Sequence, residues 1–123
     1  KETNKGYLLG RLFAVFEKVQ QDTHPGLNST IVDRFYGAAS TNPVTVFTQL
    51  MRLNHHHLNS YSSEKGGIKR KMDDEIAEIM NMIDSFPSHL NLNEQSYFAI
   101  GYYHEKQSFF EKTNKSEPLE GDN

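Results

Sequence analysis

The six residues "RLNHHH", Arg52 to His57, hold the densest set of side chains able to do chemistry. His55, His56 and His57 invite a metal, because neutral imidazole is a common ligand. Successive helical residues point about 100° apart, however, so three in a row cannot all chelate one ion. The chain has no cysteine, and no HExxH spacing supplies further ligands. No metal is therefore expected. The acids Asp73, Asp74, Glu75 and Glu78 lack the spacing of a calcium loop and suit a solvated helix start. Ser29, Ser40 and Ser85 lack a nucleophile-elbow context, and no glycine-rich phosphate loop precedes a helix. These residues assign no catalytic group and no cofactor.

Arg52 and His57 also enclose four residues, a spacing that resembles the Arg-x4-His of the HEPN ribonucleases. That family is all-α, and two such sites from a dimer meet around an RNA phosphate. Leu53 stands where a polar residue normally follows the Arg. Five helical steps turn by about 140°, so the two side chains converge only if the helix frays or bends. A HEPN-type ribonuclease using Arg52 and His57 is the runner-up reading, and a helical protein-interaction module without nucleic-acid binding is the third.

Basic groups say more. Thr45, Gln49, Arg52 and His56 recur at helical spacing as a polar stripe. Lys65, Lys69, Arg70 and Lys71 form a basic run that opposes the favourable dipole sign at a helix start. These bases do not help that helix form; a phosphate backbone is one reason to keep them, and solubility is the plainer one. Arg34 flanks the aromatic pair Phe35-Tyr36 and has an acid partner as its commoner fate. Arg34, Arg52, His56, Lys65, Lys69, Arg70 and Lys71 are the candidate nucleic-acid-binding residues, since a phosphate grip needs only a few placed cations.

Five segments with helical periodicity must position these groups, and none alternates like a strand. The first spans about Gly6 to Gln20, with Leu8, Leu12, Val15, Phe16 and Val19 on one stripe and His24-Pro25-Gly26 ending it. The second starts near Asn28 or Ser29 as N-cap and turns Ile31, Val32, Phe35, Tyr36 and Ala39 inward. Gly37, Ala38 and Ala39 are expected to let helices approach closely. Asn42 is expected to cap the third helix with Pro43 at its first position, and Val46, Phe47, Leu50, Met51, Asn54 and Leu58 share a face. Ser60 to Gly67 reads as a loop closed by Gly66-Gly67, followed by a helix over about Ile68 to Ser85. Asn91 and Glu94 have capping-box spacing for a fifth helix that runs to about Lys112. Gly101 in mid-helix costs about 1 kcal/mol against Ala, so it should admit a close neighbour. The reading is an all-α, compact bundle of about five helices over residues 1–112, with a disordered polar tail over 113–123.

Composition bounds the function. At 123 residues the chain fits one domain, and 36% hydrophobic residues with eight Phe and six Tyr concentrate apolar surface at few positions. Apolar runs such as Leu12 to Phe16 fall far short of the ~20 residues that span a bilayer. The absence of cysteine suits the cytoplasm. Formal charge is −3, and setting aside Glu117, Glu120 and Asp122 leaves 13 acids against 13 bases. A grip on a polyanion must come from local patches. The chain begins at Lys1 rather than Met, which fits a trimmed chain or a part of a longer polypeptide.

"NSTIVDRFYGAASTNPVTVFTQLMRLNHHHL" and "FPSHLNLNEQSYFAIGYYHEKQSFF" resemble the C-terminal part of the large subunit of type I-C CRISPR surveillance (Cascade) complexes, and "GYLLGRLFAVFEKVQ" resembles its first helix. In that family the segment is also made as a separate small subunit by internal translation. The resemblance implies a noncatalytic helical bundle on the inner face of the complex. It would contact backbone and large subunits and neighbouring copies of itself, and help hold target and displaced DNA once guide RNA has paired. Sequence reading is then left to the guide, and the protein feels shape and phosphates. The matching words include Asp33 to Ala39, Arg52, His56, His57 and Gly101 to His104. Of these, Phe35, Tyr36, Ala38, Ala39, Gly101 and Tyr102 suit packing, whereas Arg34, Arg52 and His56 suit an outward role.

Overall fold

A computed structural model of the chain describes residues 4–122, with side chains over residues 4–111. Five α-helices follow in order: α1 (Lys5–Thr23), α2 (Ile31–Thr41), α3 (Pro43–Leu58), α4 (Gly66–Asn81) and α5 (Leu92–Asp122). Among the described residues no strand forms, and 79% of the structure is helical. The fold is the all-α bundle that the periodicity implies. No helix among the described residues is long and apolar enough to cross a membrane. The polar tail expected over residues 113–123 lies outside the described side chains.

α1 is the axis of the bundle. Twelve of its 19 residues are buried, including Leu8, Leu9, Leu12, Phe13, Val15, Phe16 and Val19. A helix apolar nearly all round must be wrapped on all sides, and α2, α3, α4 and α5 all pack on it. Asn4 starts it by accepting the Gly6 N–H at 2.8 Å and the Tyr7 N–H at 3.3 Å.

α5 lies parallel to α1, and its partners advance with the chain. Gly6 faces Glu94, Gly10 faces Phe98, and Glu17 pairs with Lys106. Glycine makes this approach possible. A Cβ added to Gly6, Gly10 or Gly101 would run into the backbone carbonyl of Glu94, Phe98 or Tyr7, respectively. Gly101 thus admits a close neighbour, as its mid-helix position implies.

The remaining helices alternate in direction. The Ile31 N–H donates to Gln20 Oε1 at 2.9 Å, so α2 begins where α1 ends. The Leu90 N–H reaches the Thr41 carbonyl, so α2 ends beside the start of α5. α3 returns until the His57 ring meets that of His24, with centres 4.6 Å apart and planes tilted by 47°. Tyr61 donates to Asp22 at 2.7 Å, α4 then descends past Arg11, and in the connection after it Phe86 stacks on Phe47. Tyr36 meets Phe13, Phe98 and Tyr102 edge-on, joining α1, α2 and α5.

Several local expectations are corrected. Thr30, not Asn28 or Ser29, caps α2. It exchanges bonds with Asp33 in a capping box whose N3 acid is in the favourable first turn. Asn42 makes no side-chain cap bond; its amide donates to Thr41 Oγ1 instead, although Pro43 does open α3. Gly66-Gly67 opens α4 after a 3-10 turn at Ser63–Lys65, rather than closing a loop, and α4 stops at Asn81, short of Ser85. Gly37 and Ala38 are exposed, and a Cβ on Gly37 would meet open space. Only Ala39 of that trio packs, fully buried. The Asn91–Glu94 box forms as its spacing implies, with bonds of 2.8 and 2.9 Å.

Candidate nucleic-acid interface

The alternation of helices gathers the candidate cations at one end of the bundle. That end holds the close of α1 and α3 and the opening of α2 and α4. Arg34 lies one turn into α2, Arg52 and His56 near the close of α3, and Lys65, Lys69, Arg70 and Lys71 at the opening of α4. α3 packs with α2, and α2, α3 and α4 each pack on α1. Lys69 is half-buried; the other six candidates are exposed.

What pairs with these cations separates them from the rest. Arg11, Lys18 and Lys106 point along α1 and α5 and find carboxylates at 2.9 to 3.6 Å. Among the described residues Arg34, Arg52, Lys65, Lys69, Arg70 and Lys71 form no ion pair. Lys5, at the other end, is likewise unpaired and exposed. Arg34 takes no acid partner, and its guanidinium lies over the neighbouring Phe35 ring, 5.0 Å from the centre. The first turn of α4 carries no acid, so its dipole adds positive potential to Lys65 and Lys69.

The histidines divide. His55 and His56 are exposed, but His57 is 6% exposed and packed under α1. Burial, reinforced by the charges of His24 and His56, holds the His57 imidazole below its ordinary pKa and favours the neutral ring. α3 stays helical through Leu58, so it does not fray at Arg52. Arg52 faces solvent and His57 faces the core, and the two do not converge on one phosphate. No group of three or more metal-ligating side chains comes together among the described residues.

A groove of about 420 Å³ between α1 and α5 is lined by Glu17, Lys18, Lys106 and Phe110 among others. Its charges are already spent on one another, Lys106 on Glu17 and Lys18 on Asp22. Tyr102 donates to Glu17 at 2.7 Å; burial first, and then this carboxylate, hold the phenol protonated far above its ordinary range. Along α5, Leu92, Ile100, Tyr103 and Phe110 leave an exposed apolar stripe.

Sequence patterning did not single out Arg11 and Glu105, and it placed Glu75 on a solvated helix start, whereas Glu75 is only 24% exposed and paired with Arg11. Arg11 Nε donates to Glu105 Oε1 at 2.9 Å and its Nη2 to Glu75 Oε2 at 3.1 Å. The carboxylates lie 94 and 64 residues away in sequence, so no local spacing signals the cluster.

Residues 1–110 match the protein family described as CRISPR-associated protein (Cas_Csd1). No curated protein matches the chain.

Proposed function

The chain belongs to the Cas_Csd1 family of CRISPR-associated proteins, components of type I-C Cascade, and from that premise we propose that it acts as a noncatalytic small subunit that steadies the R-loop. Its cations hold target or displaced DNA by sequence-independent phosphate contacts while the guide RNA reads sequence. The observation that carries this reading is the pairing pattern. Cations turned into the bundle have carboxylates, and those arrayed over α2, α3 and α4 have none. Bare cations gathered at one end cost nothing to aim at a polyanion, since no ion pair need break first. The apolar stripe of α5 supports contact with the backbone or large subunits.

The test is a Cascade complex assembled with Arg34→Glu, Arg52→Glu, Lys69→Glu and Arg70→Glu together. R-loop lifetime should fall. The slope of log DNA affinity against log salt should flatten by about 0.7 for each single-strand phosphate no longer gripped, up to about 3 for four. Circular dichroism should report unchanged helix, because all four substitutions leave the core intact. DNA loading and salt slope identical to the parent complex would overturn the reading.

A further inference from the structure

Two carboxylates share one guanidinium where α1, α4 and α5 meet. Arg11 binds Glu105 and Glu75 at once. Glu105 is 5% exposed, and its second oxygen, Oε2, is buried and receives no hydrogen bond. Arg11 Nε holds Glu105 Oε1 and its Nη2 holds Glu75 Oε2, so the two carboxylates flank one guanidinium. With both acids ionised the cluster would bury a net negative charge and leave a lone pair unmet, a costly state. One proton removes both faults by giving Glu105 a donor to offer Glu75 while Arg11 neutralises what remains.

We propose that Glu75 and Glu105 hold one proton between them under Arg11, and that this proton latches α4 to the α1–α5 pair. α4 is suited to move when the latch opens. It fully buries only Met72 and Ile79, and no side chain caps its start at Gly66. Burial first, then Glu75, raises the affinity of Glu105 for a proton, and Arg11 opposes them. Arg11 from α1 and Glu75 from α4 are the charged groups that face Glu105; its neighbour Lys106 is turned to Glu17. A carboxyl whose folded pKa lies above its unfolded value contributes stability that is fully present below about pH 4.3 and lost as pH rises through the folded value. The latch therefore opens in alkali. Lys69, Arg70 and Lys71 ride on α4, so their position follows the proton. This inference is independent of what those cations bind.

Amide hydrogen exchange of the whole chain, corrected for the intrinsic rate, tests it at pH 5.5 and 8.5. Protection of α4 should drop about tenfold or more at the higher pH while α3 holds, one proton giving at most tenfold per pH unit. Glu105→Gln, a neutral isostere, should keep α4 at its low-pH protection at both values. Unchanged protection in the wild type, or the same drop in Glu105→Gln, would overturn the latch. A titration of the wild-type Glu105 carboxyl carbon by NMR needs no variant. A midpoint well above the ordinary carboxylate value supports the proposal, and one near 4.3 overturns it.

Discussion

Replacing Gly101 with Ala should destabilise the bundle, against the sign that helix propensity alone would give. Ala gains about 1 kcal/mol over Gly in a helix interior. At Gly101 that gain is overrun, because the new methyl would overlap the carbonyl of Tyr7, a backbone atom in the central helix that cannot rotate aside. Overpacking of this kind costs about 1–3 kcal/mol, and here the seam must also part at Gly6 and Gly10, which touch α5 in the same way. A net loss of about 2 kcal/mol, or about 8 °C in Tm for a chain of this size, is expected. Gly37→Ala is the control. That glycine is exposed in α2 with nothing within 4 Å of a new methyl, so it should gain about 0.5–1 kcal/mol. Thermal unfolding followed by circular dichroism reads both. Gly101→Ala stabilising as Gly37→Ala does would refute the parallel α1–α5 seam.

Other consequences follow from buried polar groups and the outward cations. Tyr102→Phe removes the donor to buried Glu17 and should lower stability by about 2 kcal/mol in urea unfolding, since bonds to charged groups lie at the strong end. His57, held neutral by burial, contributes stability that is present above about pH 6.5 and lost as pH falls. In a Glu105→Gln background, which silences the opposing slope, the urea midpoint should fall between pH 7.5 and 5.5, and His57→Phe should flatten it. Arg52→Ala should leave an RNA substrate as intact as the parent protein does. RNA cleavage by the parent that is abolished in Arg52→Ala would restore the ribonuclease reading.

Much of this fold could be read from local pattern. The apolar stripe of α1, the pairing of Asn91 with Glu94, Pro43 at a helix start and the tolerance of Gly101 are each written within a few residues, where helix geometry makes spacing informative. The misplaced features depend on what lies across the chain. Thr30 outranked Asn28 and Ser29 because Asp33 sits three residues on to close the box. Gly66 and Gly67, usual helix breakers, join α4 because a 3-10 turn leads straight into it. Gly37 and Ala38 are small without a close neighbour, whereas Gly6 and Gly10, set inconspicuously beside the apolar stripe, are the ones the neighbouring helix requires. For the cations, sequence supplies identity and outward spacing. That Arg11 and Lys106 are paired while Arg34 and Arg52 are bare is set by helices meeting in space.

A map of the assembled complex with DNA in place measures the central claim directly. The guanidinium of Arg34 or Arg52, or the ammonium of Lys69, should lie about 3 Å from a phosphate oxygen of the bound strand. All of these groups standing beyond a Debye length, about 8 Å at physiological salt, from every polynucleotide would contradict it.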